Sequence, residues 1–246
     1  MEISERVHLL ASGALGTGMT HPNDCNVYAV GCGQEFVLID AGVGKETEGL
    51  LASLAVDGID TGMVRNLFLT HSHLDHSGGA YQLRKELGLQ VWTSAECAKA
   101  LGTGDERAIS LDVAKRAGIY PEDFEFSSCA VDRVLADGER FSMGECEVEI
   151  IATPGHSHDM LNYLFCTPRE TLLFSGDTLF FGGKILLSNV YDCNVRDYVD
   201  SLRKLARRPF DALFPGHGLW AVQRATTHLK TALDALDRLL LPPNLI

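Results

Sequence analysis

The sequence predicts an α/β protein of two sheet-plus-helix halves, packed sheet to sheet in a single domain spanning residues 1–246. Three observations carry this expectation. A run of strands followed by mixed strand and helix patterns occurs twice. No linker, low-complexity tract or fixed-period repeat interrupts the chain. The hydrophobic fraction, 46 %, is ordinary for a globular protein, and 246 residues can bury a large core without staples.

The elements follow in order. "VHLLAS" (7–12), "NVYAV" (26–30) and "EFVLIDAG" (35–42) read as strands punctuated by Gly-rich turns. "GALGTG" (13–18) lacks the spacing and context of a dinucleotide loop and reads as a flexible turn. "KETEGLLASLAVDG" (45–58) has helical spacing, and "NLFLT" (66–70) is a short buried strand. "AYQLRKELG" (80–88) is a helix and "QVWTS" (90–94) a strand. Residues 95–127 read as mostly helical, with "ERAISLDVAKRAGIY" (106–120) the clearest piece. Strands return at 133–142, 146–154, 161–167 and 171–177. A helix over 195–208 leads to a strand over 211–216. A long amphipathic helix from Leu219 to Leu241 then stops at Pro242-Pro243.

Composition excludes some partners. The formal charge of −12 argues against a nucleic-acid-binding surface, which is normally basic. No apolar run approaches the roughly 18 residues of a membrane helix, and no signal-peptide pattern opens the chain. Seven scattered cysteines without a C-x-x-C pattern suggest reduced, mostly structural thiols. The expectation is a cytoplasmic protein acting on a small-molecule substrate, with no nucleic-acid or membrane partner. The oligomeric state is open, a homodimer included.

"THSHLDHSGG" (70–79) holds three of the chain's nine histidines. A polar cluster like this cannot be core, because buried polar groups need partners. It is either a solvated loop or half of a metal site. Three more clusters stand where strands are expected to end: "TPGHSH" (153–158), "SGDT" (175–178) and "PGHG" (215–218). Together they offer His71, His73, Asp75, His76, His156, Asp177 and His217. Seven N/O donors suit two metals, because a catalytic zinc takes three protein ligands and keeps a position open. Residues i and i+2 leaving a strand point the same way, so His71 and His73 can grip one ion. Asp75 and His76, past the turn, can reach a second, and a carboxylate such as Asp177 can bridge. The set fits zinc, with iron, manganese or cobalt also allowed.

In H-S-H-L-D-H followed by G-H, G-D-T and G-H-G, the chain resembles the metallo-β-lactamase superfamily over nearly its whole length, including "LIDAG" (38–42). The resemblance implies a four-layer αββα sandwich with the metals at one edge of two sheets. It implies that His71, His73 and His156 hold one ion, that Asp75, His76 and His217 hold the other, and that Asp177 bridges. It also implies that Asp40 supports a ligand histidine from behind, a simple turn role being the alternative. With two divalent ions against Asp75, Asp177 and a bridging hydroxide, about one positive charge remains, enough to give a nucleophile near neutral pH. The expected catalytic carboxylates are Asp75 and Asp177.

"SGDTLFFGG" (175–183) is most similar to hydroxyacylglutathione hydrolases (glyoxalase II), which split thioesters. That family appends a helical glutathione-binding domain, whereas 29 residues follow His217 here. A further family histidine corresponds to Met160, and acyl-homoserine lactonases carry a tyrosine where Phe180 stands. The expectation is a dinuclear, zinc-dependent hydrolase of small esters or thioesters. The alternatives are a lactonase and a mononuclear iron persulfide dioxygenase on the same fold. Substrate contacts are open, with Lys184, Phe180 and His158 as candidates. His158 reads as a solvated or pocket-wall side chain. His8, His21 and His228 read as ordinary. A helical insertion at 103–127 is expected near the site, with Ile109, Val113 or Tyr120 walling the pocket, unless it only packs.

Overall fold

The computed structural model describes the whole chain, Met1–Ile246. It divides into two compact units, Met1–Leu135 and Ala136–Ile246, each built on its own sheet.

The first unit carries seven strands in sequence order: β1 (Glu2–Ser4), β2 (Val7–Ala11), β3 (Val27–Gly31), β4 (Phe36–Ile39), β5 (Val64–Phe68), β6 (Gln90–Thr93) and β7 (Arg133–Val134). The first four pair antiparallel with their neighbours in sequence. From β4 onward the pairs are parallel, because helices now make the crossovers. These are α1 (Thr47–Val56), α2 (Leu74–Ser77), α3 (Ala80–Leu87), α4 (Ala95–Thr103) and α5 (Leu111–Arg116). Strands β2 and β3 are buried at every residue, so neither shows an exposed polar face, and the imidazole of His8 pairs with Asp57. Leu50 and Leu54 of α1, Leu83 of α3 and Leu101 of α4 join Leu10, Ala29, Leu67 and Val91 in one core.

The second unit carries β8 (Arg140–Met143), β9 (Cys146–Ala152), β10 (Leu161–Cys166), β11 (Thr171–Gly176) and β12 (Ala212–Pro215), in the order β12-β11-β10-β9-β8. Only β11 and β12 are parallel, their crossover being α6 (Val195–Leu205). Asn194 caps α6, its side chain accepting from the amides of Arg196 and Asp197. Helix α6 and the last helix, α7 (Thr226–Asp237), bury Leu202, Leu205, Leu229 and Leu236 with Leu164, Leu173 and Leu213. No helix is long and apolar enough to cross a membrane.

Four expectations are corrected. The stretch 133–142 is not one strand: Gly138 turns at φ +77°, and β7 and β8 belong to different sheets. The final helix is shorter than 219–241. Ala221 spends its amide and carbonyl on a bridge to Leu213, and Leu239 ends the run at φ +60°. In 106–120 only α5 is helical, bounded by left-handed Ser110 and Gly118. Finally, the histidine cluster is buried, because its rings have the partners described below. Two short elements, β1 and α2, carry too few residues to show a periodicity.

Candidate metal centre

In the first unit the site grows from the parallel ends of β4 and β5. Asp40 leaves β4 in a left-handed conformation, φ +61°, which costs a non-glycine residue about 1 kcal/mol. Three hydrogen bonds hold it there. Its carboxylate accepts from the Thr70 amide at 2.7 Å, the Thr70 hydroxyl at 2.9 Å and His76 Nδ1 at 2.8 Å. Since the Thr70 proton goes to Asp40, the contact of 3.0 Å between Thr70 Oγ1 and His71 Nδ1 is a donation by the ring. His71 and His76 thus keep their protons on Nδ1 and present Nε2 lone pairs, the tautomer a metal ligand requires. Their ring centroids lie 4.1 Å apart, and those of His71 and His73 4.6 Å. Asp75 follows at the start of α2, with one oxygen 3.6 Å from His76 Nε2.

Behind His76 lies Cys25. Its sulfur and the donor atoms of Asp40 and His76 fall within 4.8 Å of one another. Burial, partly offset by His76, pushes the thiol up to about 12, so in the metal-free protein it stays protonated at neutral pH. The segment 103–127 reaches the same loop. Leu74 donates its amide to the Ile109 carbonyl and Ser72 its hydroxyl to the Ala108 carbonyl. Ile109, Tyr120 and Phe124 pack with Leu74 and Val43. Burial, and then the charge of Asp75, raise the Tyr120 hydroxyl above its ordinary range. Val113 is only partly buried on α5.

In the second unit three loops supply one donor each. His156 follows β9, Asp177 follows β11 and His217 follows β12. The parallel register places Gly176 opposite Pro215, so Asp177 and His217 leave neighbouring strand ends together. Asp177 Oδ2 lies 3.4 Å from His156 Nε2 and 3.5 Å from His217 Nε2. His156 donates Nδ1–H to the Leu186 carbonyl at 2.8 Å. The loops are lashed together by Asn162, whose amide lies 2.9 Å from Thr153 Oγ1, 2.9 Å from the Ser175 carbonyl and 3.0 Å from Thr178 Oγ1. Thr153 and Thr178 also share a hydroxyl contact of 2.9 Å.

Each unit therefore brings its expected donors together: His71, His73, Asp75 and His76 in one, His156, Asp177 and His217 in the other. In each, an imidazole Nε2 faces a carboxylate oxygen, His76 toward Asp75 and His156 toward Asp177. Lone pair against anion is repulsive unless a proton or cation lies between them. The donor set is nitrogen and oxygen without thiolate, which fits a divalent ion of the zinc kind.

The remaining candidates are placed as follows. Phe180 is buried, its ring plane 26° from that of His217 at 6.5 Å. His158 is exposed, with Nδ1 3.5 Å from Asp192 and an edge contact to Tyr191. Lys184 is half-buried, and its carbonyl accepts from the Phe180 amide. His8 pairs with Asp57, while His21 and His228 accept from the amides of Asn23 and Gly182.

Thr70, Asn162 and Tyr198 escape a reading by motif. The only signal for Tyr198 is that Ser201 shares its otherwise apolar face of α6.

A family model described as "Metallo-beta-lactamase superfamily" matches residues 21–217. An "Atrochrysone carboxyl ACP thioesterase" of Aspergillus fumigatus is 29 % identical over 214 residues, covering 87 % of this chain and 56 % of that protein. A "Hydroxyacylglutathione hydrolase" of Rhodospirillum rubrum is 28 % identical over 155 residues, covering 63 % and 48 %. The chain thus spans about half the length of these relatives. A metallo-beta-lactamase structure from Cronobacter sakazakii, a HARLDQ motif mutant, superposes with a TM-score of 0.69 at 21 % identity. It covers 97 % of this chain and 85 % of its own, and that likeness is one of fold.

Proposed function

The chain belongs to the metallo-beta-lactamase superfamily, and from that premise we propose that it is a zinc-dependent hydrolase of small thioesters or esters. The observation that supports this reading is the anchoring of His71, His76 and His156 through Nδ1, an arrangement in which each Nε2 would present its lone pair to a metal. His71, His73 and His156 would hold one divalent ion, Asp75, His76 and His217 a second, and Asp177 would serve both. Such ions supply Lewis acidity and a water acidic enough to attack near neutral pH.

The chain's own groups do the rest. Asp177, 1 % exposed, orients the attacking water through an oxygen that has no competing solvent. Asp75 has the more open carboxylate, its side chain 29 % exposed. It accepts the proton the water loses and returns it to the departing thiolate or alkoxide. Water adds to the acyl carbon and the C–S or C–O bond breaks, giving an acid and a thiol or alcohol. No serine or cysteine nucleophile is needed, in keeping with the protonated, buried Cys25.

The thioester class is supported by the names of two relatives and by the similarity of residues 175–183 to glyoxalase II. Phe180 offers no hydroxyl to a developing charge, so lactones should be poorer substrates.

The test is a panel of acyl thioesters, esters and lactones, S-lactoylglutathione included, given to the zinc-loaded protein. A thioester or ester should show the highest kcat/KM, with S-lactoylglutathione modest beside it. A lactone cleaved faster than every thioester, or oxygen uptake with a persulfide by the iron-loaded protein, would overturn the reading.

A further inference from the structure

Helix α6 lies against the loop that carries His156, and it touches that loop at one face. The Asn194 amide donates to the Gly155 carbonyl at 2.7 Å, and Ser201 Oγ donates to the Pro154 carbonyl at 2.7 Å. Between them stands Tyr198. It packs so closely on Gly155 that a Cβ there would meet its backbone at 2.5 Å. Positions 194, 198 and 201 follow the i, i+4, i+7 spacing of a single helix stripe.

The Tyr198 hydroxyl does two things. It donates to the carbonyl of Asp177, and it accepts the amide of Leu186 at 3.1 Å. The carbonyl of the same Leu186 receives Nδ1–H of His156. The hydroxyl thereby joins the backbone of one acidic donor to the residue that orients a histidine donor. It is fully buried, and burial raises its ionisation far above neutrality, so it remains a neutral O–H.

Leu186 needs this tie. Its neighbours are held from the other side: the Ile185 amide donates to Pro243, the Leu245 amide to Ile185, and the Leu187 amide to the Asn244 side chain. In an extended segment successive residues turn their amides opposite ways. Residues 185 and 187 therefore face the tail and Leu186 faces the metal loop, where Tyr198 and His156 are its partners.

We propose that Tyr198 is a positioning residue of the metal centre. Its hydroxyl fixes the Nδ1–H tautomer and the aim of His156 and registers the Asp177 loop against it. This rests on the reading of His156 and Asp177 as metal ligands.

The test compares Tyr198→Phe with Leu202→Ala, a core truncation in the same helix that removes no hydrogen bond to either loop. Zinc affinity, measured by chelator competition, should fall about 10–100-fold in Tyr198→Phe, as for partners that anchor ligand histidines. In Leu202→Ala it should stay within about threefold of wild type, even where the melting temperature falls further. In metal-free protein, imidazole ¹⁵N shifts should show the Nδ1–H tautomer of His156 in wild type and a mixture in Tyr198→Phe. Unchanged zinc affinity, an unchanged His156 tautomer, or an equal loss of affinity in Leu202→Ala would each overturn the proposal. A wild type that binds no zinc would sink the proposed function, and the tautomer comparison would still decide the role of Tyr198.

Discussion

The two units assemble the same donor chemistry by opposite routes. In the first, four donors come from six consecutive residues, 71–76, folded into the start of one short helix. In the second, three donors come from three loops, about twenty and forty residues apart along the chain. Where the donors are neighbours in sequence, the covalent chain does most of the positioning. One carboxylate behind them, Asp40, suffices to set Thr70 and His76. Where they are distant, loop must be tied to loop, and the ties are neutral: Asn162, Thr153 with Thr178, and Tyr198. Behind the donors, sensitivity to substitution should thus fall on the one anchor Asp40 in the first unit, and in the second on Tyr198, the tie that reaches a histidine donor, rather than on Asn162.

The largest effect tests the shared point of the second unit. Asp177→Ala removes the oxygen that both His156 and His217 face. Metal content and turnover should fall together, by more than the roughly 100-fold upper value for partners behind a ligand. Elemental analysis beside steady-state kinetics checks this. Normal values for both would remove Asp177 from the site.

A paired experiment sharpens the contrast. Asp40→Asn keeps an oxygen for Thr70 and tolerates the left-handed backbone, but gives the His76 ring no anion. Metal affinity should drop about 10–100-fold with little change in unfolding midpoint. Asn162→Ala should do the reverse. It leaves buried acceptors and hydroxyls short of a donor, costing about 1–3 kcal/mol, while the other ties hold metal affinity within about tenfold. Calorimetric unfolding and chelator competition on both variants separate the two patterns. The same profile from both would mean the units do not differ as described.

The smallest effect lies away from the donors. Asp132 is pinned by the Arg84 guanidinium and by the Val91 amide, at 2.8 Å, joining α3 to β6. The Arg84 hydrogen bond holds its carboxyl below the usual range. A folded-state depression contributes stability above the unfolded-state value and loses it as pH falls through the folded one. Asp132→Asn should therefore cost about 1 kcal/mol at neutral pH and begin to converge on wild type only below about pH 4. Denaturant midpoints at the two pH values measure it, and a constant difference would show that the pair carries no such linkage.

This contrast also explains what could be read from the sequence. His71, His73, Asp75 and His76 stand out because a local motif keeps its spacing whatever surrounds it. Strands such as β3 and β10 were legible from apolar runs bounded by turn residues. Asp177 and His217 were legible only as polar residues beside glycine at strand ends, and their juxtaposition depends on the parallel register of β11 and β12. Tyr198 and Asn162 were not legible, since a tyrosine on a helix and an asparagine in a strand look like packing until their partners are known. The misread elements failed for tertiary reasons. Ala221 gave up helix for a bridge to Leu213, and the 133–142 run was divided between two sheets at Gly138.

The state of the thiols bears on how such measurements will read. Cys25, Cys32, Cys97, Cys129 and Cys146 are buried, and burial raises Cys166 and Cys193 as it does Cys25 and Cys129. To be captured adventitiously, zinc must reach a sulfur and displace its proton, and burial opposes both steps. The folded protein should therefore contribute almost no background to a metal titration at neutral pH. Samples should also tolerate air without added reductant, itself a chelator that would distort the count of ions.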